Sequence, residues 1–210
     1  MSRSVRRRFS LLLALSTTAG QIQGKKRIHI TKSQNESGTH ILLKVLAYVW
    51  FFERNPVIEP RLNYRYRPDV ATFSLSDVAD EDRLCKKAPF TNDAMRIDEW
   101  VECKKTAPKK IQRILRSLND CSFSLFHMHS ALEGYKRVLG RVLKQEELSR
   151  VQLFGITGDL ESYLDPLRSA RSIIACKKPN LITFSGKEGA IIGQFPIEQA
   201  SWGNEKDLTI

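Results

Sequence analysis

What most constrains this chain is how the spacing of its apolar residues changes along its length. Arg27-Ile28-His29-Ile30-Thr31 alternates polar with apolar side chains, the period of a half-buried strand. Soon afterwards Ile41, Leu42, Val45, Leu46, Val49 and Phe52 recur at three and four residues, one stripe of an amphipathic helix. Ser33 and Glu36 have the S-x-x-E spacing of a capping box, and Asn55-Pro56 stops the helix, which is predicted over 36–53. The two periods then take turns. Strand-like tracts fall at 64–73 and 97–104, separated by a polar connection over 76–96 that carries Asp77, Asp80, Glu81 and Asp82. A helix begins at Pro108 with Ile111, Ile114, Leu115 and Leu118 on one face. A strand at 122–128, a helix at 131–147 and a strand at 151–156 follow. The C-terminal part reads as a short helix near 159–167, strands near 170–176 and 181–185, and an extended piece near 189–198. Strands interleaved with helices specify a mixed α/β fold. At 210 residues, with no internal repeat, the chain is expected to form a single domain over 1–210.

The start of the chain has two readings. Arg6, Arg7 and Arg8 precede Phe9 and Leu11-Leu12-Leu13-Ala14-Leu15, which imitates a secretory signal. The apolar core from Phe9 to Leu15 sits at the lower length limit for such a signal. A strand at 8–16, a turn region from Ala19 to Gly24 and a second strand at 26–32 make a long β-hairpin, which is the expectation here. No run approaches the roughly 18 apolar residues of a membrane span.

Lys and Arg number 34 against 23 Asp and Glu, a net charge of +11 that favours polyanionic partners, nucleic acid first. The charge is uneven: +8 over 1–56, −2 over 57–104, +6 over 105–150 and −1 over the remainder. A carboxylate-bearing segment between two basic ones suits a nuclease, which holds a metal with the first and phosphates with the second. The four cysteines, Cys85, Cys103, Cys121 and Cys176, form no CxxC pair, and His127 and His129 have no further ligand at zinc spacing. A reduced, cytoplasmic chain is expected.

The chemistry-bearing residues sit around the acid-rich segment. Pro68-Asp69 lies in one strand-like tract and Glu102-Cys103-Lys104 in the next. Strand alternation puts Glu102 and Lys104 on one face, and pairing of the two strands brings Asp69 beside Glu102. Two close carboxylates make a hard-oxygen site for Mg²⁺ or Mn²⁺, and a lysine beside them orients water and stabilises charge on a phosphoryl group. Lys105, Lys109, Lys110, Arg113 and Arg116, on and before the next helix, are the candidate phosphate-binding residues. Each has a plainer reading: Glu36 as a helix cap, Lys104 as a strand-end lysine, the basic residues as a solvated helix face. Tyr64, Tyr66 and Trp100 are read first as packing residues.

The order helix, strand, strand, helix, strand with Pro68-Asp69 and Glu102-Cys103-Lys104 resembles the PD-(D/E)XK nuclease superfamily. That resemblance implies a mixed β-sheet flanked by helices and a further catalytic glutamate from the first helix, for which Glu36 is the matching position. A narrower resemblance is to the YaeQ family, small bacterial proteins with a variant of this fold. It is carried by residues 28–36 running into 43–48, by Arg67-Pro68-Asp69, and by 97–102 leading to 109–113. The chain departs from the family's pattern at Ser33-Gln34-Asn35-Glu36, where His-Pro-Ser-Glu is usual, and at Arg67, where an acidic residue is usual. At Lys104, where the family often carries Gly, it is closer to the superfamily motif.

The resulting expectation is an α/β, PD-(D/E)XK-like domain with an N-terminal β-hairpin. It would be a metal-dependent phosphodiesterase acting on nucleic acid, with Asp69 and Glu102 as metal ligands and Lys104 and Glu36 as catalytic partners. The rival is a non-catalytic nucleic-acid- or protein-binding module on the same fold. No membrane partner is expected.

Overall fold

The computed structural model describes residues 7–16, 22–32, 36–74, 96–118, 120–170 and 172–202. The expected connection over 76–96 therefore lies almost wholly outside the described residues. The order is β1 (Arg7–Ser16), β2 (Ile22–Lys32), α1 (Gly38–Trp50), β3 (Val57–Ile58), β4 (Val70–Phe73), β5 (Ile97–Glu102), α2 (Pro108–Ser117), β6 (Ser122–Met128), α3 (Leu132–Val142), α4 (Gln145–Leu148), β7 (Val151–Ile156), α5 (Leu164–Ser169), β8 (Ile173–Lys178), β9 (Leu181–Gly186) and β10 (Ile191–Ser201). This is the mixed α/β class read from the sequence. The chain groups into two compact units, each built from discontinuous segments: 1–52 with 157–197, and 53–156 with 198–210. No helix among the described residues is long and apolar enough to cross a membrane.

In the first unit, β1 and β2 form the expected hairpin, antiparallel, with Phe9 opposite Ile30 and Leu11 opposite Ile28. Leu13 and Ile30 are fully buried while Ser10 and His29 point outward, so period two decides which face is covered. β8 then runs parallel to β1, and β9 and β10 continue antiparallel. α1 lies against β8, β9 and α5. Its burial exceeds the single predicted stripe: Leu43, Ala47, Tyr48 and Trp50 are buried with Leu42, Leu46 and Val49. A helix that is apolar on all sides is a core helix.

The capping box needs correcting. The N-cap is Ser37, whose side chain accepts the His40 N–H at 3.1 Å, while Ser33 lies outside the described residues. The Glu36 carboxylate instead reaches Lys44 Nζ (2.5 Å) and His40 Nδ1 (2.8 Å), and the Glu36 and Lys44 side chains are almost fully buried. Buried charges persist when paired in this way.

In the second unit, β3, β4 and β5 are antiparallel neighbours, and β5, β6 and β7 are parallel. Parallel strands need crossovers, which α2 supplies between β5 and β6 and α3 supplies, with α4, between β6 and β7. Ile111, Ile114 and Leu115 of α2 join Leu132, Tyr135 and Leu139 of α3 over Trp100, Phe123, Leu125 and Leu153 of the sheet. The tract predicted as strand over 64–73 is ordered as strand only at Val70–Phe73; Asn63–Tyr66 is a bend, and Pro68 has no N–H to give a ladder. β5 stops at Glu102, so Lys104 is in a bend and not on the strand. The predicted 131–147 helix breaks between Val142 and Gln145. There Gln112 Nε2 takes the Val142 carbonyl, and Glu147 Oε2 accepts the Lys144 N–H to start α4.

Arg150 closes α2. Its guanidinium donates to the carbonyls of Leu115 (3.0 Å) and Leu118 at the helix end and of Cys121 beyond it (3.0 Å from Nε). Replacing Arg150 with Ala removes this donor from three part-buried carbonyls, of which Leu118 keeps the Cys121 N–H, and unmet buried acceptors cost about 1–3 kcal/mol each. Arg150→Ala should lower stability by roughly 2–4 kcal/mol. A urea midpoint within error of the wild type would refute this.

Glu99, on β5, is 2% exposed. Ser124 Oγ donates to its Oε1 at 2.6 Å, and Arg54 Nη1 stands at 3.4 Å from Oε2. Opposite it is Thr72, fully buried, whose Oγ1 has no hydrogen-bond partner among the described residues. Burial outweighs these donors and pushes the Glu99 carboxyl up to about 7. The folded chain therefore holds a proton that the unfolded chain releases near 4.5, and stability falls as pH rises between these values. The loss is on the order of 3 kcal/mol from pH 4.5 to 7. Glu99→Gln should flatten the stability profile across that window; an unchanged slope in pH-resolved unfolding would reject the assignment.

Candidate functional site

The chemistry-bearing residues of the second unit collect where β4 begins and β5 ends. Because these strands are antiparallel, with Val70 opposite Val101, Asp69 and Glu102 lie at the same end of the pair. Asp69 is anchored from both sides of its backbone: its N–H donates to Val101 O (2.9 Å) and its carbonyl accepts the Glu59 N–H (2.9 Å). Its side chain crosses to β5, where Oδ2 accepts the Cys103 N–H at 2.8 Å.

Glu102 is 1% exposed. Two residues before it on the strand, Trp100 Nε1 donates to Oε1 at 3.0 Å, as same-face spacing allows. Lys110 Nζ reaches the same oxygen at 2.9 Å from the first turn of α2. Oε2 faces Thr106 Oγ1 at 3.4 Å. Residues 103–107 are fixed in turn, since Thr106 Oγ1 donates to Lys104 O (3.0 Å) and the Tyr135 hydroxyl donates to Thr106 O. Burial pushes the Tyr135 phenol above its usual range.

The predicted residues divide accordingly. Asp69 and Glu102 come to one end of one strand pair. Lys104 and Lys105 are exposed in the bend beyond it, so strand alternation does not bring Lys104 onto the Glu102 face. Lys110, expected only as a phosphate contact, is the ammonium that meets the carboxylate. Lys109 and Arg113 are exposed, and Arg113 Nη1 donates to the Tyr66 hydroxyl at 3.3 Å. Arg116 is committed to Glu147 (2.8 Å). Burial acts to raise the Glu147 carboxyl, but hydrogen bonds from the Lys144 N–H, Arg116 and Gln112 hold it below the usual range. Glu36 belongs to the first unit, where Lys44 and His40 hold it. Among the described residues no three His, Cys, Asp or Glu side chains cluster as a metal site. Cys103, Cys121 and Cys176 form no disulfide; burial pushes the Cys121 thiol up to about 12, which makes it unreactive.

Sequence reasoning named Lys110 as a phosphate contact but not as the partner of Glu102, and it missed Thr106 and the place of Tyr66 beside Lys110. Lys110 had a legible signal: it stands one residue before Ile111 and four before Ile114, on the border of the apolar face rather than opposite it.

No protein-family model matches the sequence, and no curated protein does. Solved structures do. The YaeQ protein from Xanthomonas axonopodis pv. citri superposes with a TM-score of 0.62 at 9% identity, covering 94% of this chain and 99% of that one. The YaeQ protein from Pseudomonas syringae gives 0.61 at 14% identity, covering 94% and 98%. In its fold, this chain resembles the YaeQ family.

Proposed function

We propose that the Asp69–Glu102 end of the second unit is a PD-(D/E)XK-type site that hydrolyses nucleic-acid phosphodiester bonds with Mg²⁺ or Mn²⁺. One observation carries the proposal. Two buried carboxylates share an end of one strand pair, Lys110 meets one of them, and the bend and helix that follow Glu102 carry exposed cations with no carboxylate partner among the described residues: Lys104, Lys105, Lys109 and Arg113. Mg²⁺ is commonly bound through one or two carboxylates, its own waters and substrate phosphate, and this donor set fits it. Glu102 Oε2, with only a long contact to Thr106, is the oxygen best disposed to a metal. Bound there, the ion would lower the pKa of a water and polarise the scissile phosphate. Asp69, tied to the Cys103 N–H, holds its carboxylate at a fixed place, and Lys110 balances Glu102 and offers positive charge to a phosphoryl oxygen. Glu36, occupied by Lys44 and His40, is assigned to the start of α1 in this proposal. The thiols accord with a reducing, cytoplasmic setting.

One observation favours the rival reading, a binding module without turnover. Glu102 Oε1 already accepts from Trp100 and Lys110, and Asp69 Oδ2 from Cys103, so these oxygens are engaged without any ion. The test is cleavage of labelled single- and double-stranded DNA and RNA with Mg²⁺ or Mn²⁺. Metal-dependent cleavage lost in Asp69→Ala and Glu102→Gln supports hydrolysis. Salt-sensitive binding with no cleavage of any substrate supports the module.

The two lysines should separate. Lys110→Ala removes charge beside the carboxylate and should lower turnover on the order of a hundredfold, with substrate binding nearly intact. Lys104→Ala removes an exposed cation and should weaken binding while turnover at saturating substrate persists. The reverse pattern in the same assays would return the catalytic role to Lys104.

A further inference from the structure

We propose that Tyr66, Arg65 and Arg113 form a phosphate-binding subsite for a nucleic-acid strand, a deepening of the function above that rests on its polynucleotide ligand but not on turnover. Tyr66 lies in the bend before β4, its ring against the edge of the core beneath α2. Three cations converge on this one phenol. Arg113 Nη1 donates to its hydroxyl at 3.3 Å, Lys110 Nζ is 5.5 Å from the ring centroid, and Arg65 is 5.7 Å from it. Only Lys110 has a carboxylate partner among the described residues, namely Glu102. The ring face attracts cations, yet it does not neutralise them, and three positive charges held this close repel one another. An anion would relieve that repulsion.

The donors are also arranged for one. A phenol hydroxyl has one proton to give and lone pairs to accept with. Arg113 occupies an acceptor position, so the Tyr66 O–H is left to donate, and no described residue accepts it. The Arg113 guanidinium uses one Nη on Tyr66 and keeps other N–H groups, and exposed Arg65 presents a second guanidinium fork. Tyr66 O–H with two guanidinium groups suits the oxygens of a phosphate. Arg67 beside Tyr66 in sequence, and Lys104, Lys105 and Lys109 on the way into α2, are also exposed cations, and such a number of charges favours a phosphodiester chain over an isolated anion. The Arg113 hydrogen bond is the largest influence on the Tyr66 phenol and lowers its pKa; burial opposes it, and the charges of Arg65, Arg113 and Lys110 add to the lowering. Tyr66 therefore reports on its own ligand.

The experiment is a near-ultraviolet tyrosinate titration of the full chain, alone, with a saturating oligonucleotide and with inorganic phosphate. It is paired with oligonucleotide binding by fluorescence anisotropy for wild type, Tyr66→Phe and Arg113→Ala. The chain alone should show one tyrosine that ionises below the usual range and is missing in Tyr66→Phe. Oligonucleotide should move that ionisation to higher pH. Tyr66→Phe should weaken binding roughly three- to tenfold, as for one hydrogen bond, without changing the salt slope, and Arg113→Ala should flatten the slope by about one. Binding that leaves the Tyr66 ionisation and the Tyr66→Phe affinity unchanged overturns the subsite while sparing the function above. If inorganic phosphate shifts Tyr66 but no oligonucleotide binds, the subsite stands as a small-phosphate site and the polynucleotide function fails. If neither ligand shifts Tyr66, the subsite is wrong.

Discussion

The second unit is organised around the need to satisfy one buried carboxylate. Glu102 ends β5 at 1% exposure, and removing a carboxylate from water costs several kcal/mol unless partners replace the solvent. The partners come from three places: Trp100 on the same strand, Thr106 in the following bend and Lys110 in the first turn of α2. Meeting the charge therefore fixes the strand end, the bend and the helix start together. The Asp69–Cys103 bond adds β4 to the same assembly, and the Tyr135 hydroxyl on Thr106 ties in α3. The helix that these contacts position then presents Arg113 to Tyr66 and leaves Lys109 exposed. Packing of Ile111, Ile114 and Leu115 supplies the apolar drive for α2, while the Glu102 contacts fix where it starts.

Much of the fold was legible because period carries most of the information. β6 and β7 coincide with the predicted 122–128 and 151–156, and α2 starts at Pro108 as a missing N–H permits. The β1–β2 pairing follows from the alternation of Phe9, Leu11 and Leu13 against Ile30 and Ile28. What was not legible depended on hydrogen bonds between residues far apart in sequence. Nothing local says that Ser37 rather than Ser33 caps α1, because both are Ser and Glu36 had a suitable spacing; the buried Lys44 decides the matter by claiming that glutamate. Lys104 fell outside the strand because Thr106 Oγ1 takes its carbonyl and turns the chain. The candidate site was legible in its carboxylates, Asp69 and Glu102; Lys110 was legible as a cation at the border of the helix's apolar face, but not its pairing with Glu102, which depends on how the bend from 103 to 107 enters the helix.

The two glutamates of β5 show why the functional reading settles on Glu102. Glu99 and Glu102 are three residues apart on one strand and so face opposite sides of the sheet. Both are almost fully buried, yet their surroundings differ in kind. Glu99 meets a serine hydroxyl and a guanidinium at 3.4 Å, it pairs across the ladder with Thr72, whose hydroxyl has no hydrogen-bond partner among the described residues, and burial prevails, raising its proton affinity. Glu102 meets an ammonium at 2.9 Å and an indole N–H, it shares its end of the strand pair with a second buried carboxylate, and exposed cations follow it in sequence. A carboxyl that keeps its proton to near neutrality is a poor ligand for a hard cation, because the metal must displace that proton. Glu102, whose partners are an ammonium and an indole N–H, can exchange part of that partnership for a metal and a phosphate. The same strand thus carries a structural acid on one face and a candidate ligand on the other, and their partners, rather than their depth, set them apart.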